Sequence, residues 1–372
     1  MKVAVTGADG FLGWHVRSRL RALTEHEVVP VNRSAMPGLA KVVRDADAVI
    51  HLAGINRSET EDLRDGNVEL ARAVGDAVIR AERPVRVVYA NSIQAGNGTS
   101  YGDGKSAAAD TLRKAASEAG AGIVDVRLPN LFGEHGRPHY NSFVATFCHE
   151  VASGRTPEVN DREVSLLHAQ DAARVLVDAC GPTDAAEELT PVGEPHRVSG
   201  VLATLREFHT LYSTGDIPPL ANKFDVDLFN TYRAALFPDH YPIRFPKRAD
   251  ARGELVECVR AHGGAGQTFV SSTVPGITRG EHFHLGKVER FVVLRGEAEI
   301  ALRRLFSDEV VRFRVSGDSP AAIDMPTMWV HNITNIGGGE LVTLFWTNSV
   351  FDPNNPDTYA EPVAPGAEEK RG

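Results

Sequence analysis

Short apolar runs alternate with helix-period segments over the first half of the chain. Val3–Thr6, Val28–Val31, Ala48–Leu52, Val85–Ala90 and Ile123–Leu128 read as buried strands. Between the first two, Leu12, Val16, Leu20 and Leu23 fall on one face of a helix over Phe11–Leu23. This alternation implies right-handed βαβ crossovers and a parallel sheet covered on both faces. The texture changes past about residue 200. Leu202–Phe237 carries a helical pattern broken at Pro218-Pro219, and Phe245–Gly253 reads as a linker. From Glu254 the signals are short strands and turns. In Val310–Val315, residues Val311, Phe313 and Val315 take one face and Arg312 and Arg314 the other. Gly337-Gly338-Gly339 then turns into a strand over Leu341–Trp346. Many short strands with frequent Gly and Pro indicate an all-β barrel or sandwich. The expected division is an α/β Rossmann-type doubly wound domain over 1–245, an all-β domain over 246–363 and a polar, disordered tail over 364–372.

Composition narrows the partners. A chain of 372 residues exceeds one compact core, which agrees with two domains. The net charge of -9 argues against a nucleic-acid or anionic-membrane partner. Any phosphate must therefore be held by backbone N–H groups and a few arginines. The three cysteines, Cys148, Cys180 and Cys258, are odd in number and far apart, which predicts buried thiols in a reducing compartment. No apolar run reaches the roughly 18–20 residues of a membrane span. The first residues form a strand rather than a signal peptide, so the expected location is cytoplasmic.

Gly7-Ala-Asp-Gly10-Phe11-Leu12-Gly13 sits where the first strand turns into the first helix. There, one glycine permits the tight turn, the next lets a pyrophosphate approach the backbone, and the third lets the helix pack close to the sheet. The second strand ends at Val31-Asn32-Arg33 without an acidic residue, and Arg33 suits the 2′-phosphate of NADP. Tyr101 and Lys105 share one face at a helix start, downstream of the strand ending in Asn91-Ser92. An ammonium so placed eases proton donation from the phenol to a carbonyl as hydride arrives, and Ser92 would hold that carbonyl.

Thr6–Gly13, His51-Leu52-Ala53-Gly54 and Tyr101–Lys105 together resemble the extended short-chain dehydrogenase/reductase superfamily, most of whose members act on nucleotide sugars. Two departures stand out. Ser92 and Tyr101 are close in sequence, and Gly104 stands where a serine is common. The resemblance implies cofactor contacts at Leu52 and Ala53 as well as the glycine loop. It also implies that Arg127–Gly133 and Arg137–Phe143 line the sugar pocket, which makes Asn130, His139 and Asn141 candidate substrate residues.

The segment Gly276–Gly296 carries His282-Phe-His284 and, five residues on, Glu289. Histidines at i and i+2 on a strand point to one face, and a turn over Leu285–Val288 can swing Glu289 toward them. His331, from Pro326–Asn335, would be the fourth ligand. Three imidazoles and a carboxylate suit one divalent ion of Zn, Fe, Mn or Ni, with zinc expected. The spacing resembles the cupin pattern G(x)5HxH(x)4E(x)6G followed by P(x)4H(x)3N, which implies a jelly-roll barrel. Met328 replaces a glycine expected in the second part, and Pro320 its leading glycine.

With Arg137–Cys148 and Phe351–Tyr359, these segments resemble the bifunctional capsular-polysaccharide assembling reductases of bacteria that make UDP-N-acetyl-L-fucosamine precursors. That resemblance implies UDP-2-acetamido-2,6-dideoxy-β-L-arabino-hex-4-ulose as substrate. The cupin would epimerise C3, the other domain would reduce the C4 ketone with NADPH, and the enzyme would be a homodimer. His331 and Lys287 are candidates for the base at C3. Two rivals remain open at this point: an NAD-dependent epimerase or dehydratase with a dimerising cupin, and an NADPH-sensing binding protein.

Overall fold

The computed structural model describes residues 1–57, 62–181 and 187–364, so the expected tail lies outside the described residues beyond Ala364. The chain forms two compact units, Met1–Phe143 with Asp161–Val198, and Val144–Asn160 with Ser199–Gly372.

In the first unit β1 (Lys2–Thr6) leads to α1 (Phe11–Leu23), β2 (Glu27–Val31), α2 (Leu39–Asp45) and β3 (Ala48–His51). Then come α3 (Leu63–Ile79), β4 (Arg86–Ser92), α4 (Ser100–Glu118), β5 (Ile123–Leu128) and β6 (Asn130–Phe132). Helix α5 (Phe143–Ala152) begins the 144–160 excursion that clusters with the second unit. The chain returns with β7 (Glu163–His168), α6 (Ala169–Asp178), β8 (Glu188–Leu189) and β9 (Glu194–Arg197). The main sheet runs β2-β1-β3-β4-β5-β8, every pair parallel. A small sheet of β6, β7 and β9 stands apart from it.

Strand alternation explains both faces of the main sheet. Val3 and Val5 of β1 pack with Val16 and Leu20 of α1 and Leu176 of α6. Ala4 points the other way, into a core with Val74 of α3 and Leu112 of α4. The inner strands β1, β3, β4 and β5 are thus buried on both sides, which is why they read as unbroken apolar runs, whereas β2 at the sheet edge, expected to be buried, buries only Val31.

The second unit continues through α7 (Val198–Tyr212), α8 (Lys223–Leu236), β10 (Ile243–Arg244), β11 (Arg248–Asp250) and β12 (Gly253–Leu255). It then runs through β13 (Gln267–Thr273), β14 (Thr278–Phe283), β15 (Glu289–Arg295), β16 (Glu297–Arg304) and β17 (Val310–Ser316). β18 (Ala321–Met325), β19 (Trp329–Asn335), β20 (Leu341–Thr347) and β21 (Tyr359–Ala360) complete it. Two five-stranded antiparallel sheets result, ordered β10-β18-β15-β20-β13 and β17-β16-β19-β14-β21. The expected linker at 245–253 contains β11 and the turn of the β11–β12 hairpin, where Asp250 Oδ1 accepts from the Arg252 N–H at 2.8 Å. On β17, Arg312 and Arg314 are exposed and both reach Glu299 of β16.

Helices α7 and α8 cluster with these sheets, so the expected boundary at 245 falls inside the second unit. Buried polar ties account for this. Tyr212 donates to Asp324 Oδ2 at 2.6 Å, and Arg233 donates to the Met325 carbonyl at 3.0 Å. Asp324 also receives a two-pronged contact from Arg290 at 2.7 and 2.8 Å, with both side chains fully buried. Cys148 and Cys180 are buried and Cys258 is half-buried, all as free thiols. Among the described residues, no helix is long and apolar enough to cross a membrane.

Candidate active site and candidate metal centre

The glycine loop begins with the Gly7 N–H donating to the Val31 carbonyl at 3.0 Å, which ties the end of β1 to the end of β2. Helix α1 starts after Gly10 with no side-chain cap and no acidic residue in its first turn. Its leading N–H groups and positive dipole end are left for an anion from outside the helix. Gly13 is required by close approach: a Cβ there would lie 2.2 Å from the Gly7 carbonyl oxygen. Leu52 and Ala53 lie against the same loop, their N–H groups donating to Thr6 O and Thr6 Oγ1, each at 3.3 Å. The structure thus brings Gly7, Gly10, Phe11, Leu12, Gly13, Leu52 and Ala53 to one end of the sheet. Beyond β2, Asn32 folds its own turn by accepting from Ser34 Oγ and the Ala35 N–H, while Arg33 is exposed.

Ser92, the last residue of β4, lies beside the Tyr101 hydroxyl in the first turn of α4. The short connection suffices because it is a succession of tight turns. Ala95 donates to Ser92 O, Asn97 to Gln94 O and Gly96 to Gly102 O, and Thr99 caps the helix by accepting from Gly102 N–H. Burial raises the Tyr101 pKa, opposed by the neighbouring Ser92 hydroxyl, so the phenol keeps its proton at neutral pH. The Lys105 ammonium is buried, donates to the Ala90 carbonyl at 2.6 Å and lies 4.3 Å from the centre of the Tyr89 ring. Burial pushes its pKa down to about 7, against the pull of Asp125. Gly104, the departure noted in sequence, has a spatial cause: a Cβ there would lie 2.8 Å from Arg64 Cα, at the start of α3.

The three candidate substrate residues are exposed. Asn130 donates its amide to Ser165 O at 3.2 Å, bridging β6 and β7. His139 adopts a left-handed conformation (φ 56°), and Arg57 donates to the carbonyls of His139 and Tyr140 at 3.3 Å each. Asn141 follows in the same loop. Behind that loop lies a buried polar cluster with no sequence signal, because its members share no spacing. The Glu134 carbonyl meets His15 Nε2 at 3.0 Å, and its carboxylate meets His168 Nε2 at 3.1 Å.

The four candidate metal ligands converge. One ligand atom from each of His282, His284, Glu289 and His331 lies within 4.8 Å of the others. β14 and β19 are neighbours with His282 directly opposite His331, a register set by a bulge at Glu281 (φ 62°). Glu289 opens β15 in the other sheet, its Oε2 lying 3.0 Å from His284 Nε2 and 3.2 Å from His331 Nε2. Two of the imidazoles spend their other nitrogen on a backbone carbonyl: His284 Nδ1 on Asp357 at 2.5 Å and His331 Nδ1 on Trp329 at 3.0 Å. Such bonds fix the tautomer of those two rings and turn their Nε2 lone pairs inward, and with His282 beside them this donor set fits a divalent ion. Burial and the two neighbouring rings push His282 down to about 3, keeping it neutral. Burial opposes ionisation of Glu289, but the His284 and His331 rings hold its carboxyl well below the usual range.

Other residues support this centre, of which Asn230 and Asp357 gave no signal of that role in the sequence. Met328 makes the left-handed turn (φ 60°) where a glycine was expected, and its N–H donates to His284 O at 2.7 Å. Asn230 of α8 donates to Gly286 O at 2.8 Å, in the turn between His284 and Glu289. Asp357 accepts from the N–H groups of Leu285, Gly286 and Lys287 in that turn, at 2.8–2.9 Å. Lys287, a candidate base, sends its ammonium to Pro356 O at 2.6 Å and Thr358 Oγ1 at 3.2 Å.

Comparison with known proteins agrees with this two-part layout. Residues 3–188 match the NAD dependent epimerase/dehydratase family, and residues 248–359 match the polysaccharide biosynthesis C-terminal domain. The chain is 34% identical over 373 residues to the UDP-2-acetamido-2,6-beta-L-arabino-hexul-4-ose reductase of Pseudomonas aeruginosa, covering 99% of this chain and 100% of that one. It is similar to the crystal structure of the capsular polysaccharide assembling protein CapF from Staphylococcus aureus, at 32% identity and a TM-score of 0.61. That match covers 97% of this chain and all of CapF. A Bacillus cereus UDP-glucuronic acid 4-epimerase shares the fold alone, at 16% identity, with a TM-score of 0.51 over 56% of this chain and 84% of its own. With full-length coverage of both chains, the protein belongs to the UDP-2-acetamido-2,6-beta-L-arabino-hexul-4-ose reductase family.

Proposed function

We propose that the chain is an NADPH-dependent nucleotide-sugar 4-ketoreductase. Its substrate would be a UDP-2-acetamido-2,6-dideoxy-4-hexulose, used in making bacterial surface polysaccharide. The observation that carries this reading is the placement of Ser92, at the end of β4, beside the Tyr101 hydroxyl, with Lys105 one helical turn away. Bound NADPH supplies the hydride. The chain's own part is to hold the sugar carbonyl and deliver a proton. Ser92 and Tyr101 converge where a ketone oxygen would accept hydrogen bonds, and Tyr101, kept neutral by burial, holds the proton that oxygen needs. Lys105, cationic below about pH 7, lowers the cost of the phenolate left behind.

Gly7, Gly10, Phe11, Leu12 and Gly13 would receive the pyrophosphate at the open start of α1, with Leu52 and Ala53 beside it. Arg33, exposed at the end of β2 with no acidic neighbour in its turn, would meet the 2′-phosphate and favours NADPH over NADH. Asn130, His139 and Asn141 are assigned to the sugar nucleotide.

The second unit we read as a metal-bearing cupin that epimerises C3 before reduction. His282, His284, Glu289 and His331 would hold one divalent ion, zinc by preference, which would supply Lewis acidity there. A C4 ketone acidifies the C3 proton, so a base and oxyanion stabilisation suffice there. Of the candidate bases, His331 faces Glu289, and Lys287 is engaged by Pro356 and Thr358. The working enzyme we take to be a homodimer, as the family resemblance implies. The division of labour is tested by incubating the ketosugar in heavy water without NADPH. Deuterium at C3 with wild-type protein and none with His282→Ala is expected; exchange retained in the variant removes the metal from the reaction.

A further inference from the structure

We infer that Asp357 is a positioning residue for the metal centre, and that the segment around it completes the centre from the far end of the chain. This rests on the metal reading above. Asp357 stands 68 residues beyond Glu289 in sequence yet makes four bonds to the piece of chain that carries two ligands. Its Oδ1 accepts from the Leu285 N–H at 2.8 Å, and its Oδ2 from Gly286 and Lys287 at 2.9 and 2.8 Å. These three consecutive N–H groups belong to the turn between His284 and Glu289, so one carboxylate sets how far apart those ligands stand. The Asp357 carbonyl accepts a hydrogen bond from His284 Nδ1–H, which aims Nε2 at Glu289. Its backbone is left-handed (φ 43°), the conformation that lets carboxylate and carbonyl serve the same turn. Two consecutive residues then pair β21 with β14, Tyr359 with Phe283 and Ala360 with His282. Outer partners of this kind govern metal affinity because they fix ring orientation before the ion arrives.

The test uses the full chain, stripped by a chelator and titrated with Co2+ as a spectroscopic probe. Wild type is expected to bind one ion. Asp357→Asn is expected to bind about 10–100-fold more weakly, with an altered ligand-field spectrum. Thr358→Val, which removes two other ties in the same segment, is expected to bind as wild type. Equal affinity and spectrum in Asp357→Asn would overturn the inference, as would an equal loss in Thr358→Val. A wild-type chain that takes up no Co2+ would instead overturn the metal reading and this inference with it. If Asp357→Asn does not fold, amide exchange in stripped wild type decides. Protected Leu285–Lys287 amides are expected, and exchange at the rate of an open loop overturns the assignment.

Discussion

Replacing Gly104 by the serine common at this place in short-chain reductases should damage this protein. Gly104 lies on α4 between Tyr101 and Lys105 and faces the start of α3. A Cβ there would sit 2.8 Å from Arg64 Cα and 2.9 Å from the Leu63 carbonyl oxygen. Carbon atoms rest at about 3.5–4.0 Å, so the shortfall is roughly 0.7–1.2 Å against backbone that cannot swing aside. The helices have little slack elsewhere: a Cβ on Gly75 of α3 would lie 2.8 Å from Ala115 Cβ of α4. Asp62, which caps α3, also accepts from Ser100 Oγ at the head of α4. Overpacking of this kind costs about 1–3 kcal/mol, or about 2–4 °C of melting temperature for each kcal/mol in a unit of this size. Because Tyr101 and Lys105 ride on the displaced helix, a shift near 1 Å lowers turnover by up to about 100-fold. Thermal unfolding and NADPH-dependent turnover of Gly104→Ser and Gly104→Ala check this together. Wild-type melting and turnover in both variants would refute the close packing of α3 on α4.

Two further outcomes follow from the same site. Burial depresses the Lys105 pKa to about 7, so the ammonium is present below that pH and lost above it. Reductase kcat/KM should therefore fall as pH rises through about 7, and a profile flat into the alkaline range would contradict the role given to Lys105. Arg33→Glu should raise the KM for NADPH at least about 10-fold and improve use of NADH. An unchanged cofactor preference in steady-state kinetics would remove Arg33 from the site.

The dinucleotide end was legible because its chemistry is local. A glycine loop must follow a strand and open a helix, and the unbroken apolar runs around it leave few other readings. The cluster of candidate metal ligands was legible for a similar reason: alternation through the end of β14 puts His282 and the next-but-one residue His284 on one face, and a short turn delivers Glu289. What supports them was not. Asp357 meets its turn across some seventy residues of chain, a distance over which no periodicity speaks. The helical pattern after residue 200 says that α7 and α8 have an apolar face, but not which core takes it. That choice is made by single buried contacts such as Tyr212 to Asp324 and Arg233 to Met325. At Met328 a spacing rule expects glycine, yet the left-handed turn is made at a cost of about 1 kcal/mol and held by its bond to His284. Gly104 is the converse case, a departure from a family pattern that only the proximity of α3 explains.

The central claim is that the Tyr101 proton and the hydride of NADPH reduce a nucleotide-sugar ketone. Its most direct measurement is NADPH consumption on adding a UDP-2-acetamido-2,6-dideoxy-4-hexulose, with wild type and Tyr101→Phe compared at equal cofactor saturation. The account predicts substrate-dependent oxidation by wild type and a loss of about 100–10,000-fold in the variant, with NADPH binding retained. No oxidation by wild type with this or related UDP- and dTDP-ketosugars, or full turnover by Tyr101→Phe, would contradict it.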